Sequence, residues 1–346
     1  MKNLILACNY PLLIQCLLNN NIPKTYLNED YDLIFSEYIK KFNCKKFLFD
    51  RSGNTPHYLN VENNCQIPDA TGFNMSFNEV AEKRAKELLN LGKPINVSWS
   101  GGIDSTFVLF TLYNYANDKS QIKVYGTYNS IIESGDLFDK NIKNTFKFNI
   151  NTNTSYDKNY TNDKDEIYVT GSMGNNIFYQ DLSYNLPDTW MQFKNPVENA
   201  IEKYADSCYE NVITEDTVSF LYKSIKSSQR KIETLQDLRW WIQFAFNWHI
   251  VKYNTSIELS KDKVSKIHGF FGSEDFQKWS INNKDVPTKK GDFSDERWQM
   301  REMIDFYTGN TNYSKYKKNA VSTISPYTPD WLFLLNDYSN IYLQDL

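Results

Sequence analysis

The stretch INVSWSGGIDSTFVLF, residues 95–110, constrains the fold of this chain more than any other. Ile95 to Ser98 fits a short buried strand; Ser100, Gly101 and Gly102 then break the run, and a second apolar run starts at Asp104 and Ser105. That second run, residues 104–117, is long enough for a helix, with Asp104 and Ser105 as its expected capping residues. QIKVYGTYN, residues 121–129, reads as another strand, and strand, helix, strand in succession implies parallel pairing through a crossover. Upstream, residues 76–92 place Val80, Ala81, Ala85, Leu88 and Leu89 at helical spacing, with Gly92 at the stop. The polar tract 136–165 reads as a surface excursion with one strand, TFKFNI, and DEIYVTGSMGNNIFYQ as a strand followed by a glycine-containing loop.

A strand, a glycine-rich turn and a helix start form an anion site by elementary physics. The first-turn N–H groups have no intrahelical acceptor, and the aligned peptide dipoles leave positive character there. Gly101 and Gly102 let the backbone approach an anion, and Ser100, Ser105 and Thr106 can add hydroxyl donors. The bland alternative is a strand-to-helix turn capped by Asp104 and Ser105. Neither GxxxxGK(S/T) nor GxGxxG occurs, which argues against a P-loop kinase or a dinucleotide-binding enzyme.

With 346 residues the chain can bury a sizeable core, and a formal charge of -4 gives no global reason to expect a duplex-binding surface. The five cysteines are odd in number, show no CxxC spacing, and fit reduced thiols in a cytoplasmic protein. The start MKNLILACNYP has too short an apolar block for an export leader, and no stretch approaches the roughly 20 apolar residues of a membrane span. His57, His249 and His268 show no ligand spacing, and His249 reads as a core histidine. Residues 235–254 are apolar on most faces and read as a buried helix, so Trp240 and Trp241 are expected in the core.

The loop resembles the SGGxDS pyrophosphate loop of the PP-loop ATP pyrophosphatase superfamily, with Ser100, Gly101, Gly102, Asp104 and Ser105 at the fixed positions. The CxxC pairs, zinc cysteines and His-Asp loop of several branches are missing. Three ordered places between about residues 75 and 320 are similar to the synthetase domain of the asparagine synthetase and β-lactam synthetase family. The first is the helix, strand and loop of residues 76–108. The second, VTGSMGNNIFY, is similar to SGEGSDEIFGGY and shares Gly171, Ile177 and Phe178; the third, SKYKKNAV, is similar to KYILREA, with Lys315 as counterpart of the catalytic lysine.

The resemblance implies an α/β fold: a parallel sheet with flanking helices (adenine nucleotide alpha hydrolase-like), a small N-terminal α+β piece and a helical C-terminal part. It implies a reduced accessory domain over 1–74 and a synthetase-like domain over 75–346. The expected cofactors are ATP and Mg²⁺, with Asp104 helping to hold the metal and the loop, Gly171 and Thr106 near the phosphates. Tyr128 and Asn129, at a strand end where ligands collect on parallel sheets, are candidates for the adenosine site. The expected activity is an AMP- and pyrophosphate-forming ligase that adenylates a small-molecule carboxylate and passes it to ammonia or an amine. Glutamine hydrolysis is not expected, because Lys occupies position 2, where the family has its glutaminase cysteine.

Two departures bear on this reading. Ser172 and Asn175 stand where the family has a glutamate and an aspartate, and neither can act as a base or carry charge near neutral pH. Asp136, Asp165 and Asp181 are candidates to complete the metal site. The alternatives are a catalytically degenerate nucleotide-binding protein, or an enzyme modifying a nucleobase or tRNA with Trp240 and Trp241 as stacking contacts. Acidic net charge disfavours nucleic acid.

Overall fold

The computed structural model describes residues 3–8, 46–47, 50–53, 66–150, 165–178, 222–246, 248, 265–283, 297–310, 313–316 and 332–336. In chain order the strands are β1 (Asn3–Cys8), β2 (Lys46–Phe47), β3 (Ile95–Ser98), β4 (Ile122–Gly126), β5 (Lys147–Ile150), β6 (Ile167–Thr170), β7 (Ile267–Gly269) and β8 (Leu332–Asn336). The helices used below are α1 (Phe77–Leu89), α2 (Ile103–Tyr115), α3 (Tyr128–Glu133), α4 (Gly174–Ile177), α5 (Leu235–Phe246), α6 (Glu274–Asn282), α7 (Trp298–Thr308) and α8 (Tyr313–Tyr316). Two compact units share these elements, one of Met1–Ile67, Tyr179–Ile257 and Ile324–Leu346, the other of Pro68–Phe178 and Glu258–Thr323. These bounds differ from the linear division at 74/75, because β1 pairs with β8 at the far end of the sequence.

The second unit is built on a five-stranded, wholly parallel sheet in the order β5-β4-β3-β6-β7. All four residues of β6 and the first three of β3 are buried, as strands covered on both faces require. This bears out the α/β parallel sheet with flanking helices. Part of it comes from the segment read as helical: β7 is too short, at three residues, to leave a period in the sequence.

Helix α1 follows from its sequence. Its buried side is Phe77, Val80, Ala81, Ala85 and Leu88, the expected stripe except that Phe77 joins it and Leu89 is only half-buried. Ser76 Oγ accepts the Glu79 N–H at 3.3 Å, and Glu79 Oε2 accepts the Ser76 N–H at 2.7 Å, a reciprocal cap. Ser76→Ala should lower stability by about 1 kcal/mol, read as a shift in the chemical-denaturation midpoint of the second unit. Phe77 anchors an aromatic cluster, with Phe107, Phe178, Phe276 and Trp279 at ring separations of 5.3, 5.4, 5.7 and 5.0 Å. The cluster locks α1, α2 and α6 together, and α2 continues from it with Phe107, Val108, Leu109 and Leu112 fully buried.

In the first unit β1 lies between β2 and β8, antiparallel to both, with Ile5 opposite Leu334. Helix α5 is buried through Leu238, Trp240, Trp241, Ile242, Phe244, Ala245 and Phe246. Trp240 and Trp241 are each 1% exposed, so they are core residues, as expected, and offer no face for base stacking. No described helix is long and apolar enough to cross a membrane.

Candidate active site at the end of the central strands

The sheet order sets where a ligand can sit. From β3 the chain winds outward through β4 to β5, then returns to place β6 on the other side of β3. Loops leaving the carboxyl ends of β3 and β6 therefore diverge around a crevice, the place where open parallel sheets bind ligands. The segments 99–102 and 171–173 are those two loops.

The first loop is held by its own serines. Ser100 N–H donates to Ser105 Oγ at 3.0 Å, the two hydroxyls lie 2.9 Å apart, and the Gly102 N–H donates to Ser100 Oγ at 3.2 Å. Gly101 sits at φ +85°, and a Cβ there would stand 2.4 Å from the Ser130 carbonyl oxygen, so only glycine fits. Ser134 Oγ donates to the Gly101 carbonyl at 2.7 Å and fixes the turn from the other side.

The expectation that Asp104 and Ser105 cap α2 is corrected by the structure. The N-cap is Gly102, with no side-chain cap, because Ser105 Oγ turns back to the loop and the Asp104 carboxylate points away to Arg297. No side chain thus caps the first-turn N–H groups of α2. Thr106 is fully buried and its hydroxyl accepts the Trp99 indole N–H at 2.9 Å, so it braces the loop from behind.

The second loop presses onto the first. A Cβ on Gly171 would lie 2.7 Å from Ser105 N, and one on Gly174 would lie 2.6 Å from Asp104 Cγ. Met173 takes the left-handed conformation, φ 73°, to turn the chain into α4. Arg297 Nη1 donates to Asp104 Oδ2 at 3.3 Å while its Nη2 donates to Asn175 Oδ1, so one guanidinium ties the starts of α2 and α4 together. Asp104 and Arg297 side chains are 21% and 14% exposed. Burial pushes the Asp104 carboxyl above the ordinary carboxylate range, opposed by Arg297 and Arg301. Asp104 Oδ1 is buried without a hydrogen-bond partner.

The structure thus brings Ser100, Gly101, Gly102, Asp104, Ser105 and Gly171 into one crevice. Tyr128 is 62% exposed on the first turn of α3, after β4. Lys315 is exposed on α8, whose Tyr313 is buried and lies close enough to Asp104 and Glu133 to feel both charges, which with burial push its phenol up. Asp165 precedes β6, at the end of the sheet away from the loops, and pairs with Lys93 at 2.7 Å; Asp136 is 94% exposed. Neither is placed to complete a metal site with Asp104. Asp181, His57 and His249 lie outside the described residues.

A triphosphate fits this crevice: the glycine cradle excludes a Cβ, the helix start has no side-chain cap, and the Ser100 side chain is exposed. Mg²⁺, which takes octahedral oxygens at about 2.0–2.1 Å, commonly one or two carboxylates with water and phosphate, meets a competitor here: Arg297 holds one oxygen of Asp104 and the amide oxygen of Asn175 and leaves only Asp104 Oδ1 without a partner. Among the described residues no three His, Cys, Asp or Glu side chains gather into a metal-holding group.

The sequence reading missed Arg297, together with Ser130 and Ser134. A signal existed: Arg297 and Arg301, two of only six arginines in the chain, stand one helical turn apart. Set beside known proteins, the chain matches no family model and no curated protein.

Proposed function

We propose that the chain is an AMP- and pyrophosphate-forming ligase of the PP-loop type, with an adenine nucleotide alpha hydrolase-like sheet and ATP bound where β3 and β6 diverge. The observation that carries this reading is the uncapped start of α2, behind a glycine that admits no side chain, at the point where strand order reverses. In this reading a carboxylate oxygen of the substrate attacks the α-phosphorus, the bond to the β-phosphate bridge breaks, and pyrophosphate leaves onto the loop. Ammonia or an amine then attacks the acyl-adenylate carbon, giving amide and AMP, with the amine proton released.

The chain's own groups supply position and charge. Loop N–H groups and Ser100 hold the phosphates that leave, and Lys315 stabilises negative charge developing at the reacting phosphate. No step is assigned to a metal ion.

The test is pyrophosphate release from ATP over a pool of amino acids, small carboxylates, amines and ammonium. Release that requires one pool member and drops about 100-fold in Lys315→Ala, with an unchanged melting curve, is the expected result. ATP binding with no release from any pool favours the second reading, a nucleotide-binding protein without catalysis. Ser172 and Asn175, uncharged at the crevice, are what support that second reading.

A further inference from the structure

We infer that the Arg297 guanidinium is the resident cation of this crevice, so that it takes a polyphosphate anion without a divalent metal. This rests on the reading of the loop as a phosphate site.

Among the described residues, Arg297 donates to one carboxylate oxygen of Asp104 and to the amide oxygen of Asn175. The guanidinium therefore occupies the place between them that a divalent ion would need, and such an ion would have to displace it. The guanidinium also suits the geometry. Its planar fork sends Nη1 to Asp104 at the start of α2 and Nη2 to Asn175 at the start of α4, two acceptors met by one rigid group.

The backbone delivers it there. Arg297 adopts φ 60°, a left-handed conformation, immediately before α7, and α7 packs along α2. Gly174 closes the opposite side: its backbone stands so near the Asp104 carboxylate that a Cβ would come within 2.7 Å of Oδ1 and 2.9 Å of Oδ2. One carboxylate oxygen, Oδ1, remains without a hydrogen-bond partner, and a divalent ion taking it would stand beside the like-charged guanidinium that holds Oδ2. Since arginine cannot lose its proton in a protein, this cation is present at every working pH. With Asp104 paired to Arg297, the uncapped N–H groups of α2 present the positive end of the helix to an anion.

Two measurements test this, and they fail separately. In the first, binding of ATP and of inorganic pyrophosphate is followed by titration calorimetry with EDTA or with MgCl₂. Wild type should bind each ligand in EDTA within about two-fold of its affinity in magnesium, and Arg297→Gln should lose about ten- to one-hundred-fold in EDTA. Arg297→Lys, which keeps the charge and loses the fork, should fall between them. Wild-type binding that appears only with magnesium overturns the inference and leaves the phosphate-site reading intact.

The second measurement is uptake of Mn²⁺ by ligand-free protein, read from the loss of free-ion electron paramagnetic resonance signal. Wild type should take up no ion at Asp104, and Arg297→Gln should take up one that Asp104→Asn removes. Uptake by wild type that Asp104→Asn abolishes overturns the inference without using a nucleotide or a folding-sensitive variant at position 297. Absence of any nucleotide or pyrophosphate binding, with the Mn²⁺ results as expected, overturns the phosphate-site reading and with it the polyphosphate ligand.

Discussion

Gly171→Ala should both destabilise the second unit and abolish anion binding at the crevice. The added Cβ would stand 2.7 Å from Ser105 N, 2.8 Å from the Asp104 carbonyl carbon and 2.9 Å from Ser105 Cα. All three are backbone atoms of the first turn of α2, so no side chain can rotate to make room. Nor can the glycine retreat, because β6, which it follows, is hydrogen-bonded to β3 on one side and β7 on the other. Overpacking of this kind costs about 1–3 kcal/mol, and contacts with fixed backbone on both sides put the expected loss near the top of that range. Any relief must come from tilting the start of α2, which re-aims the N–H groups that meet phosphate in the proposed function. Chemical denaturation and ATP titration on the same sample separate the two effects. Gly135→Ala is the control: a Cβ there meets nothing within 4 Å, so stability should change by less than about 0.5 kcal/mol. A Gly171→Ala protein as stable and as competent to bind ATP as wild type would contradict the interlock of the two loops.

Asp237→Ala should destabilise the first unit by about 3–5 kcal/mol, because it removes one partner of a buried ion pair. Asp237 Oδ1 accepts from Arg230 Nη2 at 3.0 Å, with the side chains 3% and 2% exposed for Arg230 and Asp237. Its other oxygen accepts the Glu233 N–H at 3.1 Å, the Thr234 N–H at 3.0 Å and the Thr234 hydroxyl at 2.9 Å, so the same carboxylate closes the start of α5. The Arg230 guanidinium also stacks 4.4 Å from the centre of the Trp240 ring. Alanine would leave that guanidinium buried beside an apolar helix with its main counter-charge gone.

Burial pushes the Asp237 carboxyl up, but the Glu233 N–H, Arg230 and Thr234 outweigh it and hold the group below the ordinary carboxylate value. A carboxyl depressed on folding contributes its full stability above the unfolded value, about 3.9, and loses it as pH falls through the lower folded value. Wild type should therefore lose protection in α5 below about pH 4, and Asp237→Ala should lack that component of the pH dependence. Hydrogen exchange of the α5 amides reads this locally, which matters in a chain of two units where one global transition is not assured.

What the sequence made legible follows from how local each signal is. The strand, glycine loop and helix of residues 95–115 could be read because period, breaker and length all fall within one short window. The α1 cap could be read for the same reason: Ser76 and Glu79 carry the whole interaction. The helix cap at Asp104 was misread because the residue types suit capping, while a distant group, Arg297, competes for the carboxylate. Arg297 itself is separated from Asp104 by 193 positions and from Asn175 by 122, and no periodicity links them. Strand β7 escaped because its run is only three residues, and β8 because it is defined by the distant strand β1 that it pairs with. The bridging of Gly171 to Ser105 likewise depends on β3 and β6 being neighbours, a fact of sheet order that no single segment contains.

The pairing of β1 with β8 fixes an order of events during synthesis. The second unit ends at Thr323, so all its strands and helices have been made before Leu332 exists. β1, the earliest-made of the described strands, must meanwhile wait with the edge that will receive β8 unsatisfied, since Ile5 finds its partner only once Leu334 has been made. Long-range pairing of this kind closes slowly, and an apolar strand such as NLILAC with an open edge is a template for other chains while it waits. The nascent chain therefore carries an aggregation-prone edge at β1, and that exposure ends only when β8 arrives.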